Sequence, residues 1–150
     1  MRVVRSRTLL AGAPAVWAVL ADPYALPRWW PLARRVEGVS EAGWTVVLGR
    51  EGARGVRADQ RLEASEPRRL RRWALVVPGS PFARVVSASV TEARLEAGED
   101  GTSTLTLELR QAPAGWARLG RPMLRRAARN QLEEALEGMA RCVEAGPGRS

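Results

Sequence analysis

The stretch "LLAGAPAVWAVLADPYALPRWWPLARRVEGV", residues 9–39, decides how the rest of the chain is read. Its first two residues close a run, 3–10, in which Arg5 and Arg7 alternate with Ser6 and Thr8, the period of a β-strand. Pro14 then sits in the first turn of a helical run, 13–22, where a missing N–H costs nothing. Val16, Trp17 and Leu20 in that run keep helical spacing, and Pro23 stops it. Asp22 is suited to accept the free N–H groups of a second short helical turn, "PYALPRWW". After Pro31 the pattern becomes that of strands. Two indoles, Trp29 and Trp30, therefore stand at the corner where short helices give way to a sheet.

With 150 residues, 45% of them apolar, the chain suits one folded domain, 1–145, that buries about two-thirds of its unfolded surface. No apolar run reaches transmembrane length. The opening arginines and apolar residues imitate a signal peptide, but the strand-like alternation and the interruption by Gly12 and Pro14 argue against one. A single cysteine, Cys142, permits no internal disulfide and fits a reducing cytoplasm.

The net charge of +8 is carried entirely by arginine, since the chain has no lysine and no histidine. Such a balance is compatible with nucleic acid, an anionic membrane or an acidic ligand. It is equally the mark of a GC-rich bacterial genome, which also fits the abundant Ala and Gly and the absence of Ile. The lack of histidine excludes Ser-His-Asp and Cys-His catalysis and imidazole-bound metals. One Cys and three Asp make a poor metal site of any kind.

Beyond the corner, strands are expected near 34–40, 43–50, 54–65, 69–77, 84–97 and 102–111, separated by "SEAG", "REGARG", "SEP", "PGSPF" and "AGEDG". Connections this short imply an antiparallel meander. Residues 113–145 then place Ala128, Leu132, Leu136, Met139 and Val143 on one stripe of a long helix, with Pro122 marking its start or a kink. The last residues, 146–150, read as a disordered tail. A curved sheet must bury its concave face, and this helix is the one element able to cover it. A cavity between the two is the natural expectation.

These residues resemble the SRPBCC/START-like superfamily with the helix-grip fold, and within it the polyketide cyclase/dehydrase family. The resemblance spans residues 3–144. It rests on the A-P, V-W, L-x-D-P and L-P-x-W pattern of residues 9–39, on "GTSTLTLEL" as the last strand and on "GRPMLRRAARNQLEEALEGMARCVE" as the last helix. The resemblance implies an α+β fold with about seven strands around the C-terminal helix and two short helices after strand 1. It also implies a cavity for lipids, quinones or aromatic polyketides. Most members bind or carry; some aromatase/cyclases act on a polyketide inside the cavity.

Candidate ligand-binding residues follow, each set against ordinary packing. Trp29 matches the L-P-x-W tryptophan and is expected at the cavity end in preference to Trp30. Trp44 and Trp73 lie on strands and face inward or outward by parity. Phe82, in "PGSPF", is a lid residue or a turn anchor. Trp116, Leu119 and Met123 border the opening or pack in the core. Some aromatase/cyclases carry a cavity arginine on the strand that holds Arg61 here. The alternation of residues 56–64, however, puts Gln60 with the apolar face and Arg61 with Arg57, Asp59 and Glu63 on the charged one. A one-residue bulge would reverse the two. A cyclase tyrosine would fall near Val36, which cannot transfer a proton. No catalytic residue, cofactor or metal is therefore assigned.

Three functions are expected in this order. The first is binding of a small hydrophobic molecule, anionic or carbonyl-bearing. The second is a polyketide aromatase/cyclase reaction in the same cavity. The third is a basic module for nucleic acid or an anionic membrane surface. Arginines scattered over nearly every element argue against nucleic acid; a membrane surface stays open, as does the choice between monomer and homodimer.

Overall fold

The computed structural model describes residues 1–144, so the expected tail at 146–150 lies outside the described residues. Strand β1 (Arg2–Leu9) leads into helix α1 (Ala13–Leu20), a 3₁₀ turn (Pro23–Ala25) and helix α2 (Leu26–Trp29). Six strands follow: β2 (Ala33–Glu37), β3 (Gly43–Leu48), β4 (Val56–Glu66), β5 (Leu70–Leu75), β6 (Val86–Ala97) and β7 (Ser103–Pro113). A 3₁₀ turn (Gly115–Gly120) then leads into helix α3 (Arg121–Val143). The seven strands form one antiparallel sheet in the order β1-β7-β6-β5-β4-β3-β2. This is the expected α+β helix-grip arrangement.

The two proline-marked corners behave as their chemistry requires. Asp22 Oδ1 accepts a hydrogen bond from the Tyr24 N–H at 3.0 Å, capping the turn between α1 and α2. Pro122 falls in the first turn of α3, so the long helix begins there and is not kinked. At 23 residues α3 runs about 35 Å, enough to cross the whole concave face.

The helix buries Ala128, Leu132, Ala135, Leu136, Met139 and Ala140 against the sheet and the short helices. Opposite lie Val3 and Leu9 of β1, Ala93 and Leu95 of β6, and Leu105 and Leu107 of β7, with Val16 of α1 completing this packed half. Gly138 is where α3 crosses α2. A Cβ there would stand 2.8 Å from Trp29 Cα and 2.9 Å from its carbonyl carbon, and closer still to its oxygen. Only glycine admits so near an approach of two backbones.

The convex face holds an ion network in place of a second layer. Glu92 of β6 and Glu108 of β7 pair across the strands. Arg72 Nε donates to Glu92 at 2.8 Å, Arg2 binds Glu108 at 2.8 Å, and Arg94 bridges both carboxylates while Arg110 binds Glu108. The guanidinium groups cover Glu108 so fully that its side chain is 2% exposed. Burial by itself would raise both carboxyls, but hydrogen bonds and charge from Arg2 and Arg110 at Glu108, and from Arg72 and Arg94 at Glu92, hold both below the usual carboxylate range. Their stabilisation is complete above the ordinary carboxylate pKa and is lost as pH falls through the lowered folded values. Glu108→Gln is expected to cost about 1–2 kcal/mol at neutral pH and to flatten the loss of stability below about pH 4.5. Urea midpoints between pH 7 and pH 3 check this; parallel curves for variant and wild type would contradict it.

Candidate functional site

The packing of the concave face stops halfway along α3. Beyond it, under the first half of the helix, lies a cavity of ≈ 250 Å³. Its floor comes from inward positions of adjacent strands: Trp44, Val46 and Leu48 of β3, Ala58 and Gln60 of β4, Trp73 and Leu75 of β5. The register places Trp73 beside Leu62 on one side and Thr91 on the other, and Thr91 beside Leu109. One continuous row therefore crosses the sheet. Leu26 and Trp30, Leu124 and Gln131 of α3, and Phe82, Val85 and the buried Val86 complete the lining, and exposed Val85 marks where the cavity meets solvent.

Aromatic rings organise this wall. Trp30 meets Trp29 edge-on at 5.4 Å between ring centroids and Trp73 at 6.1 Å; Trp73 meets Trp44 at 6.0 Å. Four indoles thus run in contact from α2 to β3, in the edge-to-face and tilted geometries that the ring quadrupole favours. The Arg71 guanidinium ends the chain, 5.5 Å over the Trp44 ring and hydrogen-bonded to Ser65 Oγ at 3.0 Å. Arg71 is 8% exposed, and burial lowers its pKa while Asp22 opposes that shift. Cation–π attraction is strongest for such a desolvated cation. The indole N–H groups of Trp29 and Trp44 are buried with no acceptor among the described residues.

The polar part of the wall is made of neutral groups. Gln60, Gln111, Gln131, Ser89 and Thr91 face the cavity, and Gln111 Nε2 donates to Ser89 Oγ at 3.3 Å. Among the described residues no Asp, Glu or Arg lines it. Amides and hydroxyls both donate and accept hydrogen bonds, so they orient carbonyls, amides or hydroxyls with no demand for charge.

Of the ten candidates, Trp30, Trp44, Gln60, Trp73 and Phe82 line the cavity. Five do not. Trp29 is buried at 3% exposure behind Trp30, wedged against Gly138, so the expected order of the two tryptophans is reversed. The cause is local: α2 ends at Trp29, and Trp30 adopts an extended conformation that turns its ring toward the sheet. Arg61 points to the convex side, its side chain 63% exposed and paired with Glu63 at 3.1 Å. A register irregularity exists in β4, but between Leu62 and Ala64, past Arg61, so it does not reverse Gln60 and Arg61. Trp116 and Leu119 of the 3₁₀ turn after β7 and Met123 of the first turn of α3 do not line the cavity and stand in solvent, with exposures of 87%, 79% and 77%.

Sequence reasoning missed Thr91, Ser89 and Gln111, which sit on β6 and β7 at positions where the inward face is otherwise apolar. It also missed Gln131, one turn from the apolar stripe of α3. The parity of each strand was the available signal, read only for β4. Among the described residues no group of His, Cys, Asp and Glu could hold a metal ion, and no helix is long and apolar enough to cross a membrane.

The family model described as polyketide cyclase / dehydrase and lipid transport matches residues 1–144. Solved structures share the fold. The Zhui aromatase/cyclase from Streptomyces sp. R1128 superposes with a TM-score of 0.77 at 17% identity over 97% of this chain and 94% of its own. A START superfamily protein from Mycobacterium smegmatis gives 0.76 at 13% identity, covering 95% and 97%. The protein XoxI from Bacillus cereus gives 0.78 at 14% identity, covering 95% of each. At these identities the likeness concerns the fold alone. No curated protein matches the chain in sequence.

Proposed function

Because the chain belongs to the polyketide cyclase/dehydrase and lipid transport family, we propose that it binds and carries a small, neutral, largely apolar molecule in the cavity under α3. The observation that carries this reading is the wall itself: indoles and aliphatic side chains, interrupted by three glutamines, a serine and a threonine, with no ionisable group among the described residues. An apolar cavity of about 150 Å³ holds benzene, so the larger space here suits a molecule on the scale of two fused rings. A longer ligand would extend through the mouth beside Phe82 and Val85. The amides favour a carbonyl or hydroxyl on that molecule; an anion would enter without a counter-charge, at a high desolvation cost.

A cyclase reading on the same cavity is weaker. Ring closure needs a group that moves a proton at the reacting carbon. Tyr24 is 62% exposed and does not line the cavity, and Asp59 and Glu63 of β4 make exposed bonds to Thr45 and Arg61 outside it. Cytoplasmic residence fits the single Cys142.

Neutral N-phenyl-1-naphthylamine tests the binding reading. It is expected to bind with one-to-one stoichiometry and to quench the wall tryptophans, and native mass spectrometry of freshly purified protein is expected to show a co-purified small molecule. Ala58→Phe puts a ring into the cavity and should weaken probe binding about tenfold or more while leaving thermal stability near wild type, since the added volume enters open space. Equal probe affinity in wild type and Ala58→Phe would end the proposal.

A further inference from the structure

We propose that Trp116, Leu119 and Met123 form a docking face for an anionic lipid surface, which sets the mouth of the cavity against the bilayer. Among the described residues these three are the most exposed large apolar side chains, more so even than Leu10 at 73%. They lie close together in the chain: Trp116 and Leu119 stand one 3₁₀ turn apart, and Met123 sits in the first turn of α3, just past Gly120. A single exposed leucine needs no explanation, but a tryptophan, a leucine and a methionine together mark a contact surface.

The charge around this face indicates what covers it. Between Glu108 and Glu133 the sequence contains six arginines and no acidic residue. Arg118, Arg121, Arg125, Arg126 and Arg129 are all exposed, and among the described residues none of these five forms an ion pair. An apolar tip within an acid-free arginine field is complementary to anionic headgroups over acyl chains. Tryptophan settles at that boundary with its ring in the acyl region and its N–H among the headgroups. Nucleic acid would use the arginines and leave Leu119 and Met123 in water. A folded partner of ordinary stability needs about 800 Å² on each side, far more than three side chains supply.

Position ties the face to the cavity. Leu124, next to Met123, lines the cavity, and so does Val85, itself 47% exposed. The Ala114 N–H donates to the Val85 carbonyl at 2.9 Å, which fastens the base of the Trp116 turn to the Phe82–Val85 lip. Exposed Arg84 on that lip extends the positive field across the opening. A membrane touching Trp116 therefore faces the entrance, and an apolar molecule passes between bilayer and cavity without crossing open water. This last step rests on the binding reading above; the docking itself does not.

Co-sedimentation with phosphatidylcholine vesicles carrying about a third phosphatidylglycerol is the test. Wild type is expected to pellet with these vesicles at least about tenfold better than with pure phosphatidylcholine. The triple variant Trp116→Ser, Leu119→Ser, Met123→Ser is expected to lose about tenfold or more of that binding. Brominated acyl chains should quench wild-type emission and leave that of the triple variant unaffected. N-phenyl-1-naphthylamine binding in vesicle-free buffer should be the same for both proteins, because none of the three lines the cavity. A triple variant that pellets like wild type overturns the proposal, and so does a wild type that ignores anionic vesicles. Retention on heparin without vesicle binding would assign the arginines to nucleic acid instead. A dimer in light scattering that the triple variant abolishes, again without vesicle binding, would assign the face to a second copy of the chain. Loss of probe binding with vesicle binding intact would remove the carrier reading and leave the docking face standing.

Discussion

Gly138→Ala is expected to destabilise the protein by about 2–3 kcal/mol, although alanine is the better helix former. On an isolated helix the exchange would gain about 1 kcal/mol. Here the added methyl meets Trp29 Cα at 2.8 Å and its carbonyl carbon at 2.9 Å, both backbone atoms that no rotamer change can move. The crossing of α2 and α3 must open, and overpacking of this kind costs 1–3 kcal/mol or more beyond what propensity returns. Because Trp30 follows directly on Trp29, the shift also displaces the ring that closes the cavity. The urea midpoint should fall and the affinity for N-phenyl-1-naphthylamine with it. A midpoint that rises would show that the helices separate freely and that the close approach is incidental.

Trp73→Ala should cost more, about 3–5 kcal/mol. Trp73 is 5% exposed and is the middle member of the indole chain, touching Trp30 at 6.1 Å and Trp44 at 6.0 Å. Its removal joins the existing cavity to a new void, leaves Trp44 without an aromatic neighbour and leaves Trp30 with Trp29 alone. Trp73→Phe keeps a ring in place and should recover more than half of the loss. Thermal melts of the three proteins, with probe affinity measured below the transition, separate the effects. A Trp73→Ala variant within about 1 kcal/mol of wild type would mean that neither the buried area of this ring nor its contacts hold the wall together.

The sheet was readable from the chain because its strands are punctuated so plainly. "SEAG", "REGARG", "SEP" and "AGEDG" fall where the hairpins turn, and strand limits such as 43–50 against Gly43–Leu48 differ by a residue or two. Alternation in residues 56–64 favoured Gln60 inside and Arg61 outside against the analogy with a cavity arginine, but a one-residue bulge would have reversed them, and the register of β3 and β4 decides it. What could not be read was the aim of neighbouring residues at element ends. Trp29 and Trp30 differ by one position, and the side of the corner each occupies depends on where α2 stops, which the L-P-x-W pattern does not specify. The stretch 115–123 misled for a related reason. Its apolar residues keep a helix-like spacing, so they read as wall or core, whereas the turn after β7 leaves them exposed to solvent. Arg71 was overlooked because a lone arginine among four in "RRLRR" looks like solvated charge, and only tertiary contact shows it lying over an indole.

The placement of β1 has a consequence for how the chain is assembled. The other neighbouring strands are consecutive in sequence, joined by short turns except for the longer 76–85 link with its 3₁₀ turn between β5 and β6, so β2 to β7 can zip together in order. β1 has no such neighbour: its partner is β7, and the Met1 amino group reaches the Gln111 carbonyl across 110 positions of sequence. The strand that comes before the other six in sequence is thus among the last to find its place. Until residue 113 emerges it must wait unpaired, with apolar Val3 and Leu9 uncovered. Long-range closure of this kind slows folding far more than it weakens the finished protein, because the entropy of a loop grows only with the logarithm of its length. The hydroxyl and arginine side chains of β1, Arg5, Ser6, Arg7 and Thr8, keep that waiting strand polar and unattractive to other chains.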